Sequence, residues 1–137
     1  MAANVLLIDD ETDFLAVMAE RMVTRGMRVS TASSAKDGLA LAENADFDVV
    51  VLDLAMPEMD GVEALRRLKE KKPELEVILL TGHASVKQGI EAMKLGALDL
   101  LEKPADMNTL TAKIEAVQAK KTLGPAMVEK VMGGAKR

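Results

Sequence analysis

The stretch Val49-Val50-Val51-Leu52-Asp53-Leu54-Ala55-Met56-Pro57-Glu58-Met59-Asp60-Gly61 runs four aliphatic residues straight into a carboxylate, then a proline loop, then a helix start at Asp60 with Glu63 three residues on. An unbroken aliphatic run this short suits a strand buried on both faces, the environment of a parallel sheet. An Asp three residues ahead of a Glu suits a helix N-terminus. Asp53 is badly placed for a merely structural acid, because burying an unpaired charge is costly.

Outward from this unit the pattern repeats. Val5-Leu6-Leu7-Ile8, Val77-Ile78-Leu79-Leu80 and Leu98 with Leu100-Leu101 are further aliphatic runs, and residues 27–31 form a weaker one that suits an edge strand. Between them lie segments of helical period. Phe14, Val17, Met18 and Met22 make one apolar face, and Val62, Leu65 and Leu68 a second. Val86, Ile90 and Met93 make a third, and Leu110, Ile114 and Val117 a fourth. A shorter, Ala-rich segment spans residues 35–44, with Leu39 and Leu41. Ser34 with Asp37 gives another N-terminus, Gly26 and Gly96 stand where helices should stop, and Pro73 follows the third helix. Strand and helix alternate five times, which predicts an α/β fold: a doubly wound, five-stranded parallel sheet with helices on both faces.

The 137 residues suit one domain, able to bury roughly two-thirds of its unfolded surface. Residues 1–121 carry the alternation. Residues 122–137 read as a tail or linker, partly disordered, in which Met127 and Met132 could dock on a partner. Lys130, Lys136 and Arg137 against Glu129 leave the tail at +2, so the body carries −6 of the net −4. An acidic body with only Phe14 and Phe47 as aromatics is a poor binder of nucleic acid. Arg66, Arg67, Lys69, Lys71 and Lys72 suit the solvated face and end of the third helix. There is no cysteine, and the N-terminal apolar run is too short for a signal peptide or a membrane span; a cytoplasmic location is the expectation. Ten methionines suggest adaptable packing, with Met56 and Met59 under the loop after Asp53.

In an open parallel sheet, ligands bind beyond the carboxyl ends of the strands. The aliphatic runs end, in turn, on Asp9 and Asp10, on Asp53, on Thr81, and on Glu102 and Lys103 with Pro104. Carboxylates gathered at one edge repel, by about 1 kcal/mol at ~4 Å in water and about 4 kcal/mol at an effective dielectric near 20. Taking up a proton or a divalent cation relieves this. All-oxygen ligation suits Mg²⁺. A metal and Lys103 could neutralise phosphoryl oxygens, the Thr81 hydroxyl could donate to a third, and one carboxylate could act as nucleophile. Against this stands the plainer reading that Asp9 and Asp10 cap the next helix, Thr81 is a turn residue and Lys103 lies on the surface.

The ordered set of Asp9-Asp10, residues 53–61, Leu80-Thr81-Gly82 and residues 96–104 resembles the receiver domain of response regulators (the CheY-like fold, of flavodoxin type) over residues 4–121. The resemblance implies that Asp53 is the phosphoacceptor. Asp10, Asp53 and the Ala55 backbone carbonyl would hold Mg²⁺, with Asp9 helping through water. Lys103 would pair with Asp53 and then with the phosphoryl group, Thr81 would turn toward it, and the Lys103–Pro104 bond would be cis. The implied donor is a sensor histidine kinase or a small molecule such as acetyl phosphate. The implied output is a downstream protein or domain on the surface of the fourth helix, fifth strand and fifth helix.

Three positions tune or depart from that pattern. Leu100 stands where the family usually has an aromatic that rotates with Thr81, so activation is expected to be read from residues 83–85. Ala55 and His83 lie two residues after Asp53 and Thr81, where the family sets the phosphoryl lifetime. Ala55 has no polar group to orient water, so the lifetime is expected not to be shortened there, and Ala55→Asn to shorten it. His83, the only histidine, suits an exposed loop. The competing functions are a Mg²⁺-dependent phosphohydrolase with an aspartyl nucleophile, a flavodoxin-like electron carrier, and an interaction module that is not phosphorylated. Two carboxylates after the first strand would repel a flavin phosphate, and the phosphohydrolase would need a D-x-D pair and a cap domain.

Overall fold

The computed structural model describes residues 2–82 and 86–123. Five strands alternate with five helices: β1 (Asn4–Ile8), α1 (Thr12–Thr24), β2 (Arg28–Ala32), α2 (Ala35–Asn44), β3 (Val49–Leu52), α3 (Gly61–Lys71), β4 (Glu76–Thr81), α4 (Val86–Lys94), β5 (Asp99–Glu102) and α5 (Met107–Leu123). All strand pairs are parallel, in the order β2-β1-β3-β4-β5. The doubly wound sheet expected from the alternation is present, with β2 at one edge.

The aliphatic runs divide by parity. Leu6, Ile8, Val50, Leu52, Val77 and Leu79 face Ala35, Ala42, Leu65, Leu68 and Ala92, so α2, α3 and α4 cover that side. Val5, Leu7, Val49, Val51, Ile78 and Leu80 face Leu15, Met18, Met22, Leu110, Ile114 and Val117, so α1 and α5 cover the other. The central strand β3 is buried at every residue, whereas β5, the second edge strand, is only half-buried.

The punctuation is as expected. Ser34 Oγ accepts from the Asp37 amide, and Asp60 Oδ1 from the Val62 amide. Gly26 and Gly96 close their helices at φ of 88° and 100°, backbone that glycine adopts without a Cβ penalty. The basic stretch of α3 is largely exposed: Arg66 and Arg67 pair with Glu63, and Lys71 with Glu43. Lys69 differs, turning back to the carbonyls of Pro73 and Leu75.

Two expected helix faces need correction. Val17 is 47% exposed, and α1 packs through Leu15, Met18 and Met22. Ile90 and Met93 are 52% and 45% exposed, and α4 packs through Gly89 and Ala92 instead. The reason is contact distance: small residues let a helix lie close on the sheet, and hydrophobicity alone does not mark them. α5 runs on through Thr122 and Leu123, the first two residues of the expected tail. Met127, Met132 and the rest of that tail lie outside the described residues.

Candidate functional site

The strand order reverses between β1 and β3, the place where an open sheet leaves a crevice at its carboxyl edge. Ile8 is level with Leu52, so Asp9 and Asp53, one residue beyond each, arrive side by side. The ladder continues past the strand ends: the Asp53 amide donates to Ile8 O (3.0 Å), the Asp9 amide to Ala32 O (3.1 Å) and the Lys103 amide to Thr81 O (2.9 Å). The backbone thus fixes where each functional side chain begins.

Asp9, Asp10 and Asp53 each place a carboxylate oxygen within 4.8 Å of the others. Asp9 and Asp53 are buried at 4% exposure, and Asp10 is half-buried. Lys103 Nζ lies 2.7 Å from Asp9 Oδ2, 2.7 Å from Glu11 Oε1 and 3.5 Å from Asp53 Oδ2. It also sits 4.3 Å from the centre of the Phe14 ring, in cation–π range. The lysine therefore meets Asp53, but Asp9 and Glu11 hold it more closely. The Lys103–Pro104 bond is cis.

Neither Asp9 nor Asp10 caps α1. Asp9 Oδ1 accepts from the Glu11 amide at 2.9 Å, an Asx-type turn. Glu11 occupies the N-cap position without a side-chain cap bond, its carboxylate being on Lys103. Asp9 thus shapes the turn before α1 without capping the helix itself.

Burial pushes the Asp53 carboxyl above its ordinary value. The Ala55 amide, 3.1 Å from Oδ1, works against this, the charge of Asp9 adds to it, and Lys103 opposes it. For Lys103, burial disfavours the ammonium, yet the hydrogen bonds to Asp9 and Glu11 and the charge of Asp53 outweigh burial and push its pKa up. Thr81 is fully buried, and its Oγ1 has no hydrogen-bond partner among the described residues. Such a hydroxyl costs about 1–3 kcal/mol. An all-oxygen donor set of converging acids beside an ammonium fits a small hard cation and an anionic oxygen ligand.

The loop after β3 is drawn tight. The Gly61 amide donates to Leu54 O at 3.0 Å, and a Cβ at Gly61 would collide with the Leu54 backbone. Met56 is buried beneath the loop and Met59 packs against the same core, as expected. Ala55 is exposed. Leu79 and Thr81 share a face of β4, and Leu100 pairs with Leu79, so Leu100 is a same-face neighbour of Thr81. Its Cδ2 lies 3.2 Å from where a Cβ on Gly89 would stand. His83, with residues 84 and 85, lies outside the described residues.

Sequence reasoning missed Glu11, Phe14 and Glu58. Glu11 and Phe14 hold Lys103 across 92 and 89 positions of chain. Glu58 Oε1 accepts from the Ala35 amide at 2.8 Å, across 23. No local pattern announces such pairs; an acid directly after Asp9-Asp10 was the available signal for Glu11.

A family model for the response regulator receiver domain matches residues 5–115. The photosynthetic apparatus regulatory protein RegA of Rhodobacter capsulatus is 35% identical over 108 residues, 79% of this chain and 59% of that protein. The chain thus spans less than two-thirds of the length of this relative. Among solved structures, a response regulator receiver domain protein from Clostridium thermocellum superposes with a TM-score of 0.82 at 38% identity, covering 88% of this chain and 98% of that one. A response regulator from Burkholderia pseudomallei, with a phosphorylated aspartic acid, a calcium ion and citrate, gives 0.76 at 30% identity, covering 88% and 74%.

Proposed function

The chain belongs to the response-regulator receiver family, and from that premise we propose that Asp53 is its phosphoacceptor, with Asp10, Asp53 and the Ala55 carbonyl holding Mg²⁺. The observation that carries this is the Asp53 carboxylate itself: buried, crowded by two other acids and met by one ammonium. Bound Mg²⁺ would neutralise charge on the phosphoryl oxygens. Both oxygens of Asp9 are already engaged, by Lys103 and by the Glu11 amide, which favours its acting on the metal through water.

The chain's own groups do the rest. A partly desolvated Asp53 oxygen forms the new P–O bond as the P–N bond of a phosphohistidine breaks; the electron pair returns to the imidazole, which takes up a proton. Lys103 stays charged throughout and follows the phosphoryl oxygens. Thr81 Oγ1 donates to another of them and so gains a partner that no described residue provides. The chain binds, orients and holds the group; it does not turn over a substrate pool.

For the partners, we infer a sensor histidine kinase as donor and an output protein or domain on the α4-β5-α5 face. Ile90, Met93 and Leu98 are exposed there, on and beside α4. No described helix is long and apolar enough to cross a membrane.

Intact mass after incubation with acetyl phosphate tests the proposal. One added phosphoryl unit is expected with Mg²⁺, none with chelator and none in Asp53→Asn. An adduct that survives Asp53→Asn would sink it, as would multiple turnovers of a phosphate ester. Absence of any adduct from both acetyl phosphate and a phosphorylated kinase would leave only the interaction-module reading.

A further inference from the structure

The metal-binding groups proposed above come from two separate strand ends, Asp10 after β1 and Asp53 with Ala55 after β3, and something must keep those ends in register. The loop of residues 54–59 is fixed at its base by the Ala55 amide on Asp53 and by Gly61 on Leu54. Its tip, Pro57 and Glu58, is exposed. Among the described residues, one hydrogen bond ties residues 54–59 to an element other than the helix they lead into: Glu58 Oε1 with the Ala35 amide, 2.8 Å.

That amide is the first of α2, a donor without an intrahelical partner. Ser34 Oγ serves the Asp37 amide, and Ala35 itself is fully buried. A carboxylate oxygen from the β3–α3 loop therefore completes the helix end. α2 in turn lies hard on β1: a Cβ at Gly38 would collide with the Ile8 side chain, and Ile8 leads directly into Asp9 and Asp10. The path runs along the loop from Ala55 to Glu58, across the hydrogen bond to Ala35, along α2 to Gly38 and onto Ile8. It braces one half of the site against the other through a helix that carries no site residue.

We propose that Glu58 is a positioning residue for the metal site, holding the Ala55 carbonyl in place by its hydrogen bond to the α2 N-terminus. It acts through that bond and not through its charge. This rests on the reading of Asp53 and Ala55 as metal ligands.

The test is a titration of the full chain with MgCl₂, followed by the amide resonances of residues 53–56, in wild type, Glu58→Ala, Glu58→Gln and Asp53→Asn, with thermal midpoints recorded alongside. Glu58→Ala is expected to weaken Mg²⁺ binding by about tenfold, the low end of what outer-shell partners cost. Glu58→Gln keeps an acceptor oxygen and is expected to stay near wild type. Ala35→Pro removes the donor with no change of charge. Proline is tolerated at a first helical position, and Ser34 already has the extended backbone that precedes one. It should reproduce the loss even where Glu58→Ala fails to fold. A lowered thermal midpoint with unchanged Mg²⁺ affinity in Glu58→Ala overturns the proposal. So does an equal loss in Glu58→Gln, which would make charge the cause. A wild type that ignores Mg²⁺, or an Asp53→Asn that binds it equally well, overturns the ligand assignment itself and is told apart by those two samples alone.

Discussion

The two ends of the sheet use the same chemistry for opposite purposes. At the amino end, Lys121 Nζ lies 3.4 Å from both Asp48 Oδ1 and Phe47 O, Asp48 Oδ2 accepts from the Asn4 amide, and the Asn4 side chain donates to Asp46 O. Lys72 donates to Ala45 O and reaches Asp46. Each acid there has its own donor. At the carboxyl end one lysine serves three carboxylates, a fourth acid stands beside them, and a buried hydroxyl has no partner among the described residues. The first arrangement closes the fold. The second leaves excess negative charge, which a proton or a cation would relieve.

That contrast can be broken or sharpened by measurement. The largest effect on stability is expected from Lys103→Met, which strands buried acids. Breaking a fully buried pair costs about 3–5 kcal/mol, and partial exposure of Glu11 and Asp10 brings this to about 2–3 kcal/mol. Denaturant unfolding without metal would read it, and an unchanged midpoint would mean that the carboxyl end is better solvated than its geometry implies.

Asp53→Asn should go the other way, stabilising the metal-free chain at neutral pH by of the order of 1 kcal/mol, because a buried carboxylate and its repulsion with Asp9 are both removed. The sign comes from linkage. A carboxyl raised above 3.8 by folding costs nothing below that value and progressively more as pH rises through its folded-state value. The stability gap between mutant and wild type should therefore open with rising pH and then stay constant. A gap that closes instead would show that Lys103 stabilises the ionised Asp53 more than burial disfavours it. The smallest effect belongs to Lys121→Ala, an exposed pair worth about 0.5 kcal/mol and screened by salt. A loss comparable to that of Lys103→Met would erase the distinction between the two ends.

Much of this was legible in the order of residues. The aliphatic runs and the acids that end them gave strands, alternation and the contents of the carboxyl edge, because buried parallel strands tolerate little else. The faces of α1 and α4 were misread for a physical reason. α1 carries two overlapping apolar stripes, and Val17 lies on the one that faces away. α4 buries Gly89 and Ala92 and exposes Ile90 and Met93, so hydrophobicity pointed to the wrong side. Glu11, Phe14 and Glu58 were hidden because their partners are set by the closing of the sheet and not by neighbours in the chain.

The bond from Lys103 to Asp9 has a consequence during synthesis. Asp9 leaves the ribosome 94 residues before the lysine that offsets it, a delay of roughly 5–20 s at about 5–20 residues per second. Until β5 emerges, the nascent chain has its acidic cluster without its counter-charge. A chain stalled or clipped before Lys103 would keep Asp9 and Asp53 buried together without the ammonium that meets both.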